Sequence, residues 1–154
     1  MSIESKLDEL GLHLPKPPEP IAAYVPCLQT GNLLYISGQL PLATKDYMIA
    51  QGPVASRIPV DQAQSAAAQC VVNALAVAKQ HLGGDLTRIT RVVRVGVFVQ
   101  SDDDFHDQAL VANGASELLE RLFGEQGKHV RAAVGVNALP KNASVEVEFI
   151  FEVN

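Results

Sequence analysis

The sequence predicts an α+β domain of two layers, with two helices packed on one face of a β-sheet. Apolar residues recur at helical spacing in two long segments and at strand spacing in several shorter ones. Each long helix falls between two strands, and right-handed crossovers then bring both helices to the same face. The predicted core elements are strands at 24–29 and 33–37, a helix at 61–82, a strand at 89–100, a helix at 104–123, and strands at 130–136 and 144–153.

The first twenty residues are expected to be an appendage. Ser2 and Glu4 favour a short helix over residues 2–10, which Gly11 ends. Four prolines between residues 15 and 20 exclude a helix or a central strand and predict an extended arm on the surface. The chain is therefore divided into an N-terminal helix with a proline-rich arm at 1–20 and a folded domain at 21–154.

The first two core strands are expected to form a hairpin, because Thr30-Gly31-Asn32 between them is a turn signal. From Gly38-Gln39-Leu40-Pro41 to Pro59 the sequence shows little periodicity. This stretch predicts a long loop or lid.

Both long helices carry start and stop signals. Asp61 is expected to cap the first helix, and Gly83-Gly84 to end it. The second helix is expected to begin at Asp104 and to end before Gly124. Small residues recur on one face of the first helix, so it can lie close against a sheet.

The strand at 92–99 is apolar on both faces, whereas two helices on one side cover only one of them. The other face needs a partner, and a second copy of the chain is the simplest one. The sequence therefore predicts a closed homo-oligomer.

Charge and composition exclude several classes of function. The net charge of -5 and the scattered lysines and arginines argue against a nucleic-acid partner. No apolar run approaches the roughly 20 residues of a membrane span, and the N-terminus lacks the features of a signal peptide. Cys27 and Cys70 are interpreted as reduced, buried thiols. These features predict a cytoplasmic protein without a membrane partner.

Arg131 is the main candidate for the functional centre. It shares one face of its strand with Ala133 and Gly135, which leave space beside it. A buried arginine needs an anion, from the protein or from a ligand. If 138–141 form a hairpin loop, Glu148 lies opposite Arg131 and Glu146 lies diagonal to it. A structural ion pair at a subunit interface and a ligand site both fit this pattern.

Other candidates are weaker. Asp102-Asp103-Asp104, His106 and Asp107 resemble metal ligands, but acidic residues also suit the start of a helix, and no metal site is predicted. His129 shares the face of Arg131 and either borders a cleft or is a solvated residue at the strand end. No Ser-His-Asp or Cys-His grouping is identifiable.

Two separated parts of the sequence resemble one known family. They are Tyr24 with Gly31-Asn32-Leu33-Leu34-Tyr35-Ile36-Ser37-Gly38-Gln39-Leu40-Pro41, and Arg131 with Leu139-Pro140 and Val145-Glu146-Val147-Glu148. The family is the RidA/YjgF family of reactive intermediate deaminases, also labelled endoribonuclease L-PSP. The resemblance implies a chorismate-mutase-like α+β fold with a mixed sheet, and a homotrimer with ligand clefts between subunits.

The resemblance also implies an activity and its residues. In the best-studied branch, 2-imino or 2-enamino acids are hydrolysed to 2-keto acids and ammonia without a cofactor. By position, Arg131 would hold the substrate carboxylate, and Glu146 would help to position the attacking water. The matches to substrate-binding positions are Tyr24, Ser37, Gly38, Asn113 and Ala133.

Two departures from the family pattern lie on the strand of Arg131. Ala133 stands where the active branch usually has a cysteine, and His129 stands where a small residue or proline is expected. The sequence therefore leaves two functions open for a trimer that binds a small carboxylate. One is hydrolysis of imines, and the other is a non-catalytic ligand sensor or partner-binding module. Ribonuclease activity is disfavoured by the acidic charge balance.

Overall fold

The computed structural model describes residues 1–17, 19 and 22–154. In that part of the chain, three α-helices and seven strands alternate with short 3₁₀ turns. In chain order they are α1 (Ile3–Glu9), β1 (Cys27–Thr30), β2 (Leu33–Gln39), β3 (Leu42–Thr44), β4 (Tyr47–Met48), α2 (Val60–His81), β5 (Ile89–Gln100), α3 (Gln108–Phe123), β6 (Val130–Val136) and β7 (Val145–Val153).

Five strands form one sheet in the order β1-β2-β7-β5-β6. Every neighbouring pair is antiparallel except β5 and β6, which are parallel, so the sheet is mixed. Helices α2 and α3 contact each other and the same side of this sheet. These features confirm the predicted two-layer α+β class.

The core lies between the helices and one face of the sheet. Phe149 and Phe151 of β7 stack against each other there, with ring centroids 5.8 Å apart. Glycine lets the two long helices approach closely, since a Cβ at Gly114 of α3 would overlap the backbone of Gln64 in α2. This close contact sets the position of α3 above the edge of the sheet.

The glycines predicted to end the two long helices are confirmed, but the predicted starts of these helices are not. Gly83 and Gly84 follow α2 at φ +70° and +95°, as a helix terminator requires. Asp61 is not the cap of α2, because Pro59 occupies the capping position without a side-chain hydrogen bond. The prediction that α3 starts at Asp104 was also wrong, because the helix begins at Gln108. The residues before it form a loop, in which Asp102 accepts a hydrogen bond from the Ser56 amide.

The predicted loop before Pro59 contains regular structure. Strands β3 and β4 pair there as a small antiparallel hairpin, and Val54 is fully buried. Asn73 of α2 holds this segment in place by donating hydrogen bonds of 2.9 Å to the carbonyls of Leu40 and Leu42. Strands of two and three residues are too short to show a periodicity, which is why the sequence did not reveal them.

The predicted N-terminal helix is present, and Ser2 caps it by accepting a hydrogen bond from the Ser5 amide. Leu7 is buried in the main core, and Lys6 donates to the carbonyl of Leu122 at 2.8 Å. Part of the predicted extended arm, Pro18 and Pro20, lies outside the described residues. So does Ile21, where the folded domain was expected to begin.

In the part of the chain that the structure describes, no helix covers the second face of the five-stranded sheet. The side chains of Glu146, Glu148 and Ile150 on β7 alternate with buried ones and point to this face. Apolar residues are exposed on it as well, among them Tyr35, Val130 and Val134. Within the described residues, no helix has the length and apolar character needed to cross a membrane.

Candidate functional site

Arg131 lies on β6, the edge strand of the sheet. It pairs with Val95 of β5, which is fully buried toward the helices, so Arg131 leaves the sheet on the helix side. Its guanidinium reaches helix α3, where Nη1 donates to Asn113 Oδ1 at 2.9 Å and to Ser116 Oγ at 3.1 Å. Nη2 makes a longer bond of 3.4 Å to the carbonyl of Ala109.

All three acceptors of Arg131 are neutral. In the described part of the chain, no carboxylate forms a salt bridge with it. A guanidinium has five N–H donors, and the bonds to α3 occupy three of them. The Nε–H and one Nη2–H therefore have no acceptor among the described residues. The arrangement leaves an exposed cation with donors available for an anion.

The predicted position of Arg131 opposite Glu148 was wrong. Strand β5 lies between β6 and β7 in the sheet, so these two strands are not neighbours. Glu148 also points to the other face, where its Oε1 lies 3.0 Å from Nη1 of Arg94. The hairpin prediction failed because β6 pairs in parallel with β5, although β7 follows it directly in the sequence.

Small residues lie next to Arg131 along β6. Ala133 is half-buried and packs against the core. A Cβ at Gly135 would lie only 2.8 Å from Gln108 Nε2 and from Ser101 Oγ. Glycine at this position therefore admits two polar side chains to the same edge of the sheet as the arginine.

Ser116 and His129 form a hydrogen-bonded pair beside Arg131. Ser116 Oγ lies 2.9 Å from His129 Nε2, and His129 Nδ1 lies 2.6 Å from the carbonyl oxygen of Gly127. Burial lowers the pKa of His129 and nearby Arg131 lowers it further, while the bond to Gly127 opposes both effects. The histidine is therefore neutral at pH 7.

The sequence alone did not predict this pair, because it shows no recognisable grouping of a nucleophile with a histidine. Ser116 follows Asn113 by three residues, which is about one helical turn. His129 precedes Arg131 by two residues, which places both on one face of a strand. Those two spacings are the only signal, and they bring the side chains together only if α3 lies against β6.

The remaining candidate residues lie elsewhere in the chain. Ser37 of β2 donates both its amide and its hydroxyl to the carbonyl of Pro26 at 3.0 Å. A Cβ at Gly38 would lie 2.9 Å from Cδ of Glu146, so glycine lets this carboxylate lie against β2. Tyr24 is exposed just before β1.

Glu146 is half-buried, and its environment favours the neutral form. Burial raises the pKa of this carboxyl, and the neighbouring charge of Glu148 raises it further. Because Glu146 alternates with the buried residues of β7, it faces the side without helices. One chain therefore places Arg131, Asn113 and Ala133 on one side of the sheet and Glu146 with Gly38 on the other.

Among the acidic residues before α3, Asp102 has a structural role. Asp102 accepts hydrogen bonds from the amide and the hydroxyl of Ser56 and from the amide of Ala55. The hydrogen bond from the Ser56 hydroxyl lowers the pKa of Asp102 most, and the bond from the Ser56 amide lowers it further. Across residues 1–17, 19 and 22–154, no three His, Cys, Asp or Glu side chains cluster as metal ligands would.

Both cysteines are free thiols. Cys70 is fully buried in α2, as expected, whereas Cys27 at the start of β1 is only half-buried. Burial raises the pKa of each thiol. Neither is therefore a reactive thiolate at neutral pH.

The family model described as endoribonuclease L-PSP matches residues 15–153 of this chain. Protein TCP17 of Trypanosoma cruzi is 39% identical over 99% of this chain and 94% of its own. The 2-iminobutanoate/2-iminopropanoate deaminase of Dermatophagoides farinae is 30% identical over 88% of this chain and 90% of its own.

The crystal structure of Atu1372, a protein with unknown function from Agrobacterium tumefaciens, has the same fold. It superposes with a TM-score of 0.93 at 47% identity, covering 99% of this chain and 92% of that one. These similarities extend over nearly the whole chain and confirm the resemblance seen in the sequence.

Proposed function

The chain belongs to the endoribonuclease L-PSP family, also called the RidA/YjgF family, and on this premise we propose that it binds a small carboxylate-bearing metabolite and hydrolyses its imine. The substrates are 2-imino or 2-enamino acids, and the products are 2-keto acids and ammonia. The proposal includes a homotrimer, with the ligand in clefts between subunits.

The guanidinium of Arg131 is the observation that carries the proposal. Its bonds to α3 are all to neutral oxygens, and they hold the group at a fixed place without neutralising it. Two N–H donors are left over, which is the number that a bidentate carboxylate takes. A small 2-keto or 2-imino acid offers such a carboxylate beside its reactive carbon.

The separation of the candidate residues supports a site between subunits. Arg131 and Glu146 leave opposite sides of the sheet, so one chain does not bring them together. The uncovered face carries the exposed apolar side chains of Tyr35 and Val134. A neighbouring copy on this face would shield them, and it would place the β6 edge of one subunit beside the β2 and β7 strands of the next.

In the proposed reaction, Arg131 holds the carboxylate and Glu146 positions a water molecule. The water attacks the imine carbon, the C–N bond breaks, and protons pass to nitrogen as ammonia leaves. Burial raises the pKa of Glu146, which makes its ionised form a stronger general base. Water addition and ammonia loss change no oxidation state, so the reaction balances without a cofactor.

The same family carries an endoribonuclease label, which we do not extend to this chain. The net charge of -5 does not favour a polyphosphate ligand. We place the protein in the cytoplasm as part of the proposal, because both cysteines are free thiols.

The test is ammonia release from imines generated in situ. An amino-acid oxidase would supply imines from a panel of amino acids, and the purified protein should increase the rate of 2-keto acid formation. Arg131→Ala should abolish the increase. If the wild-type protein accelerates no imine in the panel, the deaminase proposal fails.

A ligand sensor is the second candidate, favoured by the departures at His129 and Ala133 on the strand of Arg131. Thermal-shift titrations with 2-ketobutyrate distinguish it from the enzyme. Stabilisation that depends on Arg131 but comes without turnover would support the sensor.

A further inference from the structure

A chain of hydrogen bonds runs from the backbone to Arg131 through two side chains. The carbonyl of Gly127 contacts His129 Nδ1 at 2.6 Å, His129 Nε2 contacts Ser116 Oγ at 2.9 Å, and Ser116 Oγ contacts Arg131 Nη1 at 3.1 Å. In imine hydrolysis as proposed above, Ser116 only helps to hold Arg131, and His129 has no part.

The backbone carbonyl sets the direction of this chain. A carbonyl oxygen only accepts, so Nδ1 of the neutral histidine carries the proton and donates to Gly127. Nε2 is then the basic nitrogen, and it faces the hydroxyl of Ser116. The serine donates to His129 and accepts from Arg131, which leaves its second lone pair available.

The hydroxyl of Ser116 is used differently from that of an ordinary helical serine. A serine within a helix commonly bonds to the carbonyl four residues before it. Ser65 of α2 does this, since its Oγ bonds to the carbonyl of Asp61 at 3.3 Å. Ser116 bonds outward instead, to the base and to the cation.

These contacts match the arrangement of an activated nucleophile. The signature is a hydroxyl within hydrogen-bond reach of a base that a third group orients. Here Ser116 supplies the hydroxyl, His129 is the base, and the carbonyl of Gly127 orients the base. The positive charge of Arg131 beside Oγ also favours the oxyanion that forms as the proton leaves.

We propose that Ser116 is a nucleophile that His129 activates, and that it takes the acyl group from small activated esters or thioesters bearing a carboxylate. The inference rests on the proposed function only in using Arg131 to hold that carboxylate. Ser116 Oγ bonds to the carbonyl carbon and its proton passes to His129 Nε2. The alcohol or thiol leaves with that proton. Water then hydrolyses the acyl-serine, releasing the acid and restoring the hydroxyl.

The test uses two chromogenic esters, the mono-p-nitrophenyl ester of fumaric acid, whose trans carboxylate cannot reach its own ester carbonyl, and p-nitrophenyl acetate. With the full chain, the fumarate ester should give a burst of nitrophenol and a fumaryl adduct that peptide mass spectrometry locates on Ser116. Ser116→Ala should abolish both. His129→Gln should slow the burst by about 100-fold or more, the usual contribution of a general base. Ser65→Ala is the matched control and should behave as the wild type.

Three results decide the matter, with thermal melting used to show that each variant is folded. Equal nitrophenol release by the wild type and Ser116→Ala, or no adduct on Ser116, overturns the proposal. Neither result bears on imine hydrolysis, which is measured separately. An adduct formed equally well from the acetate ester supports Ser116 as a nucleophile but contradicts carboxylate binding by Arg131.

Discussion

Glu148 accepts a hydrogen bond from Arg94, with 3.0 Å between Oε1 and Nη1, on the sheet face opposite to Arg131. The two arginines therefore have different kinds of partner. Arg94 is neutralised by a carboxylate, whereas Arg131 contacts only neutral oxygens of α3. The charge of Arg131 is therefore available for a ligand, whereas that of Arg94 is not, and Arg94 serves as a matched control.

Arg131→Lys should weaken the binding of 2-ketobutyrate by about ten- to a hundredfold. Lysine keeps the charge but loses the planar fork, and charged hydrogen bonds of this kind contribute about 1.5–3 kcal/mol. Isothermal titration calorimetry measures the affinity. Arg94→Lys keeps its contact with Glu148 and should bind like the wild type. Equal losses in the two variants would contradict the role given to Arg131.

Gly38→Ala should lower kcat for imine hydrolysis with little change in melting temperature. The added Cβ would meet the side chain of Glu146, which is long enough to swing away. The carboxylate would then leave the place where it positions water. Gly96→Ala is the control, because its Cβ would meet Glu148 and Arg94 instead. If both variants lose the same activity, Glu146 has no special part in the reaction.

Gly114→Ala should destabilise the protein by about 1–3 kcal/mol, the usual cost of overpacking. Within a helix, alanine is normally more stabilising than glycine by up to about 1 kcal/mol. Here its Cβ would overlap the backbone of Gln64, which does not move as a flexible side chain does. Urea denaturation gives the free energy of unfolding. Glu117→Ala, an exposed change on the same helix, should stay within about 0.5 kcal/mol of the wild type.

The stability of the wild type should fall relative to that of Glu146→Gln as the pH rises above 4.5, the ordinary pKa of a glutamate. Burial, and then the charge of Glu148, raise the pKa of Glu146 above that value in the folded chain. Between the two pKa values the folded state holds more protons than the unfolded state, so stability decreases as pH rises. Denaturation curves from pH 4 upward measure the difference. A constant difference between the two proteins would contradict the raised pKa.

The ionisation of Glu146 should also limit the rate of imine hydrolysis at low pH. Glu146 acts as a base only when ionised, so the rate of imine hydrolysis should be lost as the pH falls through its raised pKa. The acidic limb of the pH profile of kcat/KM should therefore lie above 4.5. An acidic limb at or below that value would mean that Glu146 is not the group being titrated.

Periodicity and terminating glycines were enough to predict the long elements, although α3 begins at Gln108 and not at the predicted Asp104. The bounds of β5 and β6 agree with the prediction at both ends, and the terminating glycines after α2 and α3 have the positive φ expected of them. These are local properties, set by the spacing of apolar residues and by the freedom of glycine. The family could be recognised for a similar reason, since its motifs lie in short continuous segments.

The groups that surround Arg131 could be identified only from the tertiary structure. The sequence showed that this arginine needs an anion and has small neighbours, and it suggested Glu148 as a partner because β7 follows β6. The fold instead inserts β5 between those strands and brings α3 to the arginine. Strand order and helix placement depend on contacts between residues far apart in the chain, and spacing along the sequence does not encode them. For the same reason only the structure revealed that Ser116 and His129 meet beside Arg131.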